Sequence, residues 1–517
     1  MLILFAILIL LITSVGLLVG RLMKLRFAMQ WLIAAIGTLG SWSLVVVTGL
    51  ELPQTIPLIT WQPENLFRTS PILLADQISW PYALALVTLV LAAILTDTVN
   101  APTVDVKSWI SIVVFTAFGV LAVLAGNPLT LLLAWMAIDL LELLILLSQL
   151  NQSRLRERVI FAFSARALSS ILVILAAMLS ATGGQTLTFT NISNEANVAL
   201  LLAAGLRLGV LPLHIPLLKH LPLERGLGTV SRSLPAAAGL ILLARITIIQ
   251  QPDYLLLTIL GFAALAAVYS GITWLLAKDE IDGRPAWIVG MASLSLAAAV
   301  QGQTMASLSW GLSGLLGGGL LFLFSIRTRF LIWIPLVGLM GISALPYTPN
   351  WNGAQLYAGT FHVLLIPFLV AHALLLVGFA RHSLRPGIKL EGFERWIWFI
   401  YPLGLMFLLG TLFSLGLSIS PPPESVPLQG WLAGVVVLVI GGLIFVWGNR
   451  WKENPPDWTK VINSILSLQW LYQAIWAGYR YLSRILGILT QLLEGEGGVL
   501  WAILLLGLLF SIISRLS

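Results

Sequence analysis

The sequence predicts an all-α, polytopic membrane protein, and three observations carry that reading. Only 9% of its 517 residues are charged, where a soluble domain carries about 25%; so few charges cannot cover a water-facing surface of this size. Apolar runs close to the ~20 residues needed to cross a ~30 Å hydrocarbon layer recur about sixteen times. Basic residues sit in short patches between these runs, so the net charge of +7 reads as membrane orientation. The composition argues against a cytosolic enzyme, a disordered chain and a nucleic-acid binder. Having no Cys, the chain has no disulfide, thiolate metal site or Cys nucleophile.

In order, spans are expected near 2–20, 28–50, 79–96, 109–126, 128–150, 158–183, 198–220 and 229–250. They continue near 254–277, 285–301, 304–326, 330–347, 357–380, 394–418, 430–448 and 498–515. The first run lacks a charged leading region and its basic cluster (Arg21, Lys24, Arg26) follows it, so it reads as a span, not a signal peptide. The odd-numbered loops hold that cluster and almost every other loop cation, from Lys107 to Arg450 and Lys452. Arg225 and Arg232 are counted among these odd-loop cations. The even-numbered loops hold only Arg68 and Arg245. Lys and Arg accumulate on the cytoplasmic side, which places the odd loops inside and both termini outside.

Residues 457–491 differ. Val461, Ile465, Leu468, Tyr472, Trp476 and Tyr479 recur at three- and four-residue steps while Lys460, Gln469, Gln473 and Arg480 fall elsewhere. That period marks an amphipathic helix lying along a surface, as interface padding or as a strut against neighbouring subunits. Pro455 and Pro456 stop the preceding span, and Gly495, Gly497 and Gly498 lead into the last one.

An ionisable residue inside a span costs about 2.5–3.5 kcal/mol on insertion scales, so each is a functional candidate. Asp139 and Glu142 lie in the fifth span, Arg166 in the sixth, Arg207 and His214 in the seventh, His362 and His372 in the thirteenth. Asp139 and Glu142, three residues apart, share one helix face. Two carboxylates that close cannot both ionise cheaply in a low dielectric, and a cation such as Arg207 or Arg166 changes which one does. A proton relay and a static buried ion pair both fit that pattern. In the seventh span Pro212 breaks the helix at membrane depth; His214, just beyond, is of the residue type whose ordinary pKa lies near neutral. His362 and His372 are ~15 Å apart along one helix, unsuited to paired haem ligation. Gly314 and Gly318 give a small-xxx-small spacing for close helix approach. No phosphate-loop, dinucleotide, zinc-protease or nucleophile-elbow pattern occurs, so neither a cofactor nor a catalytic centre is expected on this chain.

These landmarks, in this order, resemble the antiporter-like membrane subunits of complex I-type NADH–quinone oxidoreductases and multisubunit cation/proton antiporters. Ala75-Asp76-Gln-Ile-Ser79 is similar to the family's Asp-Gly-Leu-Ser, and Asn127 through Trp135 to its approach into the fifth span. Phe163-Ser-Ala-Arg166 resembles its Asn-Arg motif, Arg207 through His214 its Lys-x-x-x-x-Pro-x-His, and Gly341 through Pro346 its Gly-Ile-Pro-Pro turn. The match covers roughly residues 70–360, and the surface helix plus a final span further resembles the largest such subunit of complex I.

The resemblance implies two inverted five-helix repeats, each with a broken helix. Residues 1–108 then hold the first three helices, 109–250 the first repeat and 254–380 a second, charge-depleted one. Accessory spans fill 394–448, ahead of the lateral helix at 457–491 and the final span at 498–515. It also implies an energy-transducing inner membrane (plasma or thylakoid type), other membrane subunits as partners, and H+ or Na+ as the moved ion. Asp139, Glu142, Arg166, Arg207 and His214 become the expected translocation residues, with Pro212 the helix break. The departures are specific: the family's Trp-Glu is Trp135-Met136, its seventh-helix Lys is Arg207, and Gly318 stands at its eleventh-helix Lys. The eighth helix, read from Val230, looks one turn short and lacks an interior Lys. Translocation through the first repeat is the leading expectation; a transport-inactive scaffold and a self-sufficient solute transporter are the rivals.

Overall fold

The computed structural model describes residues 1–58, 70–100, 105–150, 153–184, 186–211, 223–246, 253–358, 363–388, 393–420, 426–448, 469–494 and Ile503. The chain is a helical membrane protein, with 12 helices among the described residues long and apolar enough to cross a bilayer. It divides into Met1–Asn449 and Arg450–Ser517.

The larger unit opens with α1 (Leu2–Leu22), α2 (Phe27–Thr48) and α3 (Ser79–Thr96), with a hairpin of β1 (Gln54–Pro57) and β2 (Ile72–Ala75) between the last two. The strands pair antiparallel with Gln54 opposite Ala75. Next come α4 (Val106–Val123), α5 (Pro128–Gln149), α6 (Ser153–Thr182), α7 (Asn194–Arg207) and α8 (Arg225–Arg245). Then follow α9 (Asp253–Leu276), α10 (Arg284–Val300), α11 (Thr304–Leu323), α12 (Trp333–Ile342) and α13 (Leu365–Ser383). α14 (Ile397–Ile419) and α15 (Leu428–Gly448) close the unit.

Caps fix the helix starts. Asn127 accepts from the Thr130 amide at 2.8 Å with Pro128 in the first turn, a pairing that satisfies an orphan donor where Pro needs none. Asp105 and Ser193 cap α4 and α7 in the same way. α3, α8 and α11 are buried along almost their whole length and pack on one another, so they form the centre of the bundle. Around them, α4 to α8 close a ring in which α4 and α5 both meet α8. α9 to α13 repeat that pattern, with α9 and α10 both meeting α13.

Contacts between loops test the alternation of the spans. Glu280, after α9, bonds Arg225 at the first position of α8 and Arg327 after α11; Glu224 accepts from the Asp105 amide. These segments are all odd-numbered. Asp76 pairs with Arg245, and the Ser70 carbonyl accepts from Asn127; these are all even-numbered. Odd loops therefore meet at one end and even loops at the other.

Four sequence expectations are corrected. The break in the seventh span comes earlier than Pro212: α7 ends at Arg207, because Gly209 at φ 72° turns the chain and the Val210 amide bonds back to Gly205. α8 starts at Arg225, a full turn before Val230, so Arg225 and Arg232 belong to a helix and not a loop. α12 is only 10 residues long; its chain resumes as a 3-10 segment, Trp351–Tyr357, and α13 begins at Leu365. Pro212, His214, His362, residues 457–468 and the expected final span, save Ile503, lie outside the described residues. In the smaller unit, α16 (Gln469–Glu494) is a strongly amphipathic helix.

Candidate functional site: a buried arginine–carboxylate cluster

α5 presents lipid-type side chains on one side and acids on the other. Met136, Leu140 and Leu144 are exposed, whereas Asp139 and Glu142 are each only 2% exposed. Opposite them stand Arg166 of α6 and Arg207, the last residue of α7, both equally buried. Arg207 donates from Nη1 to Asp139 Oδ2 at 3.0 Å and from Nη2 to Oδ1 at 2.9 Å. Arg166 Nε lies 3.3 Å from the same Oδ1, and its Nη1 lies 2.7 Å from Glu142 Oε2. Asp139 is thus shared by two guanidinium groups on different helices, while Glu142 has one of them.

Two further groups complete the walls. The Trp135 ring lies 4.3 Å from the Arg207 guanidinium carbon and its indole donates to the Ala238 carbonyl at 3.1 Å, which ties the cluster to α8. Arg232, buried on α8, acts electrostatically on Glu142 and Arg166. The reading from sequence missed Arg232. Three arginines therefore face two carboxylates, and arginine keeps its proton in proteins.

A second ionic group sits at the odd-loop end. Glu280 Oε1 accepts from Arg225 at 3.0 Å and lies 2.9 Å from Arg327. Burial alone raises its pKa, but Arg225 and Arg327 outweigh that and hold the carboxyl below its ordinary 4.5. At the even-loop end the Asp76 carboxylate takes both Nη groups of Arg245, at 2.8 and 3.0 Å. Burial again opposes, and Arg245 with the Ser79 hydrogen bonds holds Asp76 below its ordinary 3.8. Neither bridge is legible in the sequence, because its residues lie at the ends of the apolar runs, where a charge needs no partner.

The second half has a different interior. A Cβ on Gly318 would lie 2.5 Å from the Trp287 indole nitrogen, and one on Gly314 would lie 2.8 Å from Met291. The two glycines let α10 and α11 approach closely, and Trp287 fills the space a longer side chain would need. The break after α12 is stapled by Asn350, which donates to the Ile342 carbonyl at 3.1 Å and accepts from Ser309 at 2.8 Å. His372 is buried against Trp310, with the Tyr357 hydroxyl 3.5 Å from Nδ1. Among the described residues no cluster of His, Asp and Glu has metal-binding arrangement.

No protein-family model matches the chain, and no curated protein matches it in sequence. Solved structures do match in shape. A chain of the Mrp complex from Dietzia sp. superposes with a TM-score of 0.75 over 100% of this chain at 11% identity. The chain has the fold of that Mrp-complex chain. The protein spans 63% of the length of that Mrp chain. A chain of membrane-bound sulfane sulfur reductase, an archaeal respiratory membrane complex, gives 0.67 at 14% identity over 97% of this chain and 99% of that one. A chain of respiratory complex I from Thermus thermophilus gives 0.60 at 18% identity over 80% and 98%. The residue after Trp135 is Met136, 50% exposed, so the buried acids of α5 come one and two turns after Trp135, at Asp139 and Glu142.

Proposed function

We propose that this chain is a membrane subunit of a complex I-like or cation/proton antiporter-like assembly and contributes to proton or sodium translocation through Asp139, Glu142, Arg166 and Arg207. One observation carries this reading: Asp139 is held jointly by α6 and by the terminal residue of a helix that stops inside the bundle. Beyond Arg207 the carbonyls of Ala204, Gly205 and Leu206 are held by a turn and not by continued helix, so the end of α7 is the place where this helix can shift. If Arg207 shifts, Asp139 loses one of its two guanidinium partners and the charge balance of the buried cluster changes. Charge uptake at the carboxylates is thereby linked to the position of α7. Pro212 and His214 belong to the same proposal as helix break and proton acceptor.

The proposal includes two inverted repeats, α4–α8 and α9–α13, an energy-transducing membrane with odd loops cytoplasmic and both termini outside, and neighbouring subunits as partners. Reconstituted assembly carrying Asp139→Asn with Glu142→Gln should lose proton or sodium flux while all subunits remain associated. Unchanged flux would reject the translocation role.

The scaffold reading has one observation in its favour: every basic partner in the cluster is an arginine, which suits a fixed brace as well as a relay. It predicts that removing 457–517, with the amphipathic helix, disperses the assembly without any effect of the Asp139 and Glu142 substitutions on flux.

A further inference from the structure

α13 carries two buried histidines, His372 and His382. His382 has a structural explanation. Its Nε2 bonds the Trp274 carbonyl at 3.0 Å, beside Arg385, which bonds the Ala277 carbonyl at 2.8 Å, so the end of α13 caps the end of α9. His372 has no such anchor. It is only 1% exposed and lies seven residues beyond the start of α13 at Leu365, ~10 Å along the helix axis. The Tyr357 hydroxyl stands 3.5 Å from Nδ1, and the Trp310 ring meets the imidazole at right angles, 4.8 Å away. The carbonyl of Ile342, where α12 stops, acts on the ring, yet among the described residues Nε2 makes no hydrogen bond. A buried polar atom left that way costs about 1–3 kcal/mol, which an apolar side chain of similar size would avoid.

The surroundings define what this nitrogen takes. α9, α10, α11, α12 and α15 pack on α13. Among the described residues none of them acts on His372 with a charge, and the titratable group that meets it is Tyr357. A hydroxyl donates to a neutral imidazole and accepts from an imidazolium, so Tyr357 serves both protonation states. Na+ requires oxygen ligands, but the oxygens at the α12 break are engaged. Asn350 Oδ1 accepts from Ser309 at 2.8 Å, and the Ile342 carbonyl accepts from Asn350 at 3.1 Å. The position also has a counterpart: Arg232 lies seven residues beyond the start of α8 at Arg225, in the last helix of the other ring, where it acts on Glu142. We propose that His372 is a second ion-binding site of this chain, beside the α12 break, and that it takes H+ and not Na+. Each turnover forms one N–H bond at Nε2 and breaks one, with water as proton donor and acceptor and no electron exchanged. This role rests on the chain being part of a translocating assembly, and it puts a proton carrier in the half that has no counterpart of the arginine–carboxylate cluster.

The test uses an assembly reconstituted with this subunit alone carrying isotope-labelled histidine, and infrared difference spectroscopy under an imposed proton gradient. An isotope-shifted imidazole band should appear. His372→Gln should remove it and lower proton flux about a hundredfold, the usual worth of one positioned proton-transfer group. Tyr357→Phe keeps the ring and should move the pH at which the band appears, which a loss of packing alone would not do. No imidazole band in the unaltered protein while flux continues would overturn the proposal, whether or not His372→Gln assembles. A band that neither substitution alters, or native proton flux in His372→Gln, would overturn it as well. Flux lost in His372→Gln but kept in Asp139→Asn with Glu142→Gln would remove the first site and leave this one; the reverse pattern would do the opposite.

Discussion

Arg207 ends α7 with both of its terminal nitrogens on the Asp139 carboxylate, at 3.0 and 2.9 Å. Each group is only 2% exposed, so removing one leaves the other charged and poorly solvated. Asp139→Asn is therefore expected to destabilise the protein by about 3–5 kcal/mol. The paired replacement Asp139→Leu with Arg207→Met should cost much less, because it removes both desolvation penalties. Thermal unfolding of the two variants in detergent would measure the difference; equal losses would mean the two groups do not act as a pair.

Trp135 holds Arg207 from the other side. Trp135→Leu should cost about 2 kcal/mol for the desolvated cation–π contact, plus the bond to the Ala238 carbonyl. Trp135→Phe retains a ring face and should lose less. Their order in an unfolding series checks the assignment.

The Glu280 bridge predicts an acid-sensitive arm of stability. Its folded pKa lies below the ordinary 4.5, so its contribution is fully present above about pH 4.5 and is lost as pH falls through the lower, folded value. Unfolding temperatures measured from pH 6 downward should drop in the native chain over that acid range. Glu280→Gln should start lower at pH 6 and lose less on acidification.

Gly209 lies two residues beyond Arg207 at φ 72°, in the left-handed region. Gly209→Ala should cost about 1–2 kcal/mol and displace the end of α7, reducing ion flux as well. Gly261 in α9 has open space where a Cβ would go, so Gly261→Ala should stabilise by about 0.5–1 kcal/mol. A loss of similar size at both sites would remove the special role of the turn.

The parts legible in the sequence were those that violate the rules of a lipid-facing helix. Asp139, Glu142, Arg166 and Arg207 stand out because an ionisable side chain in an apolar run needs a partner, and the structure brings the four together. Arg232 escaped because α8 lies at the centre of the bundle, where Gly226, Gly228, Thr229 and Ser231 pack against helices and need not resemble hydrocarbon. A ruler based on hydropathy reads that stretch as loop. The short α7 and α12 escaped for the same reason in reverse: apolar residues continue past Arg207 and Ile342, and backbone geometry at Gly209 (φ 72°) and Ala344 (φ 54°) ends the helices. The Glu280 and Asp76 bridges depend on tertiary proximity, which no local pattern carries.

The central claim is that Asp139 and Glu142 change charge while the ion moves. Infrared difference spectroscopy on the reconstituted assembly, with and without an imposed proton gradient, reads carboxyl protonation directly. A carboxylic C=O band that is reduced by Asp139→Asn or Glu142→Gln, and absent from the double variant, is the predicted result. A spectrum with no band sensitive to either substitution, recorded while flux continues, would contradict it.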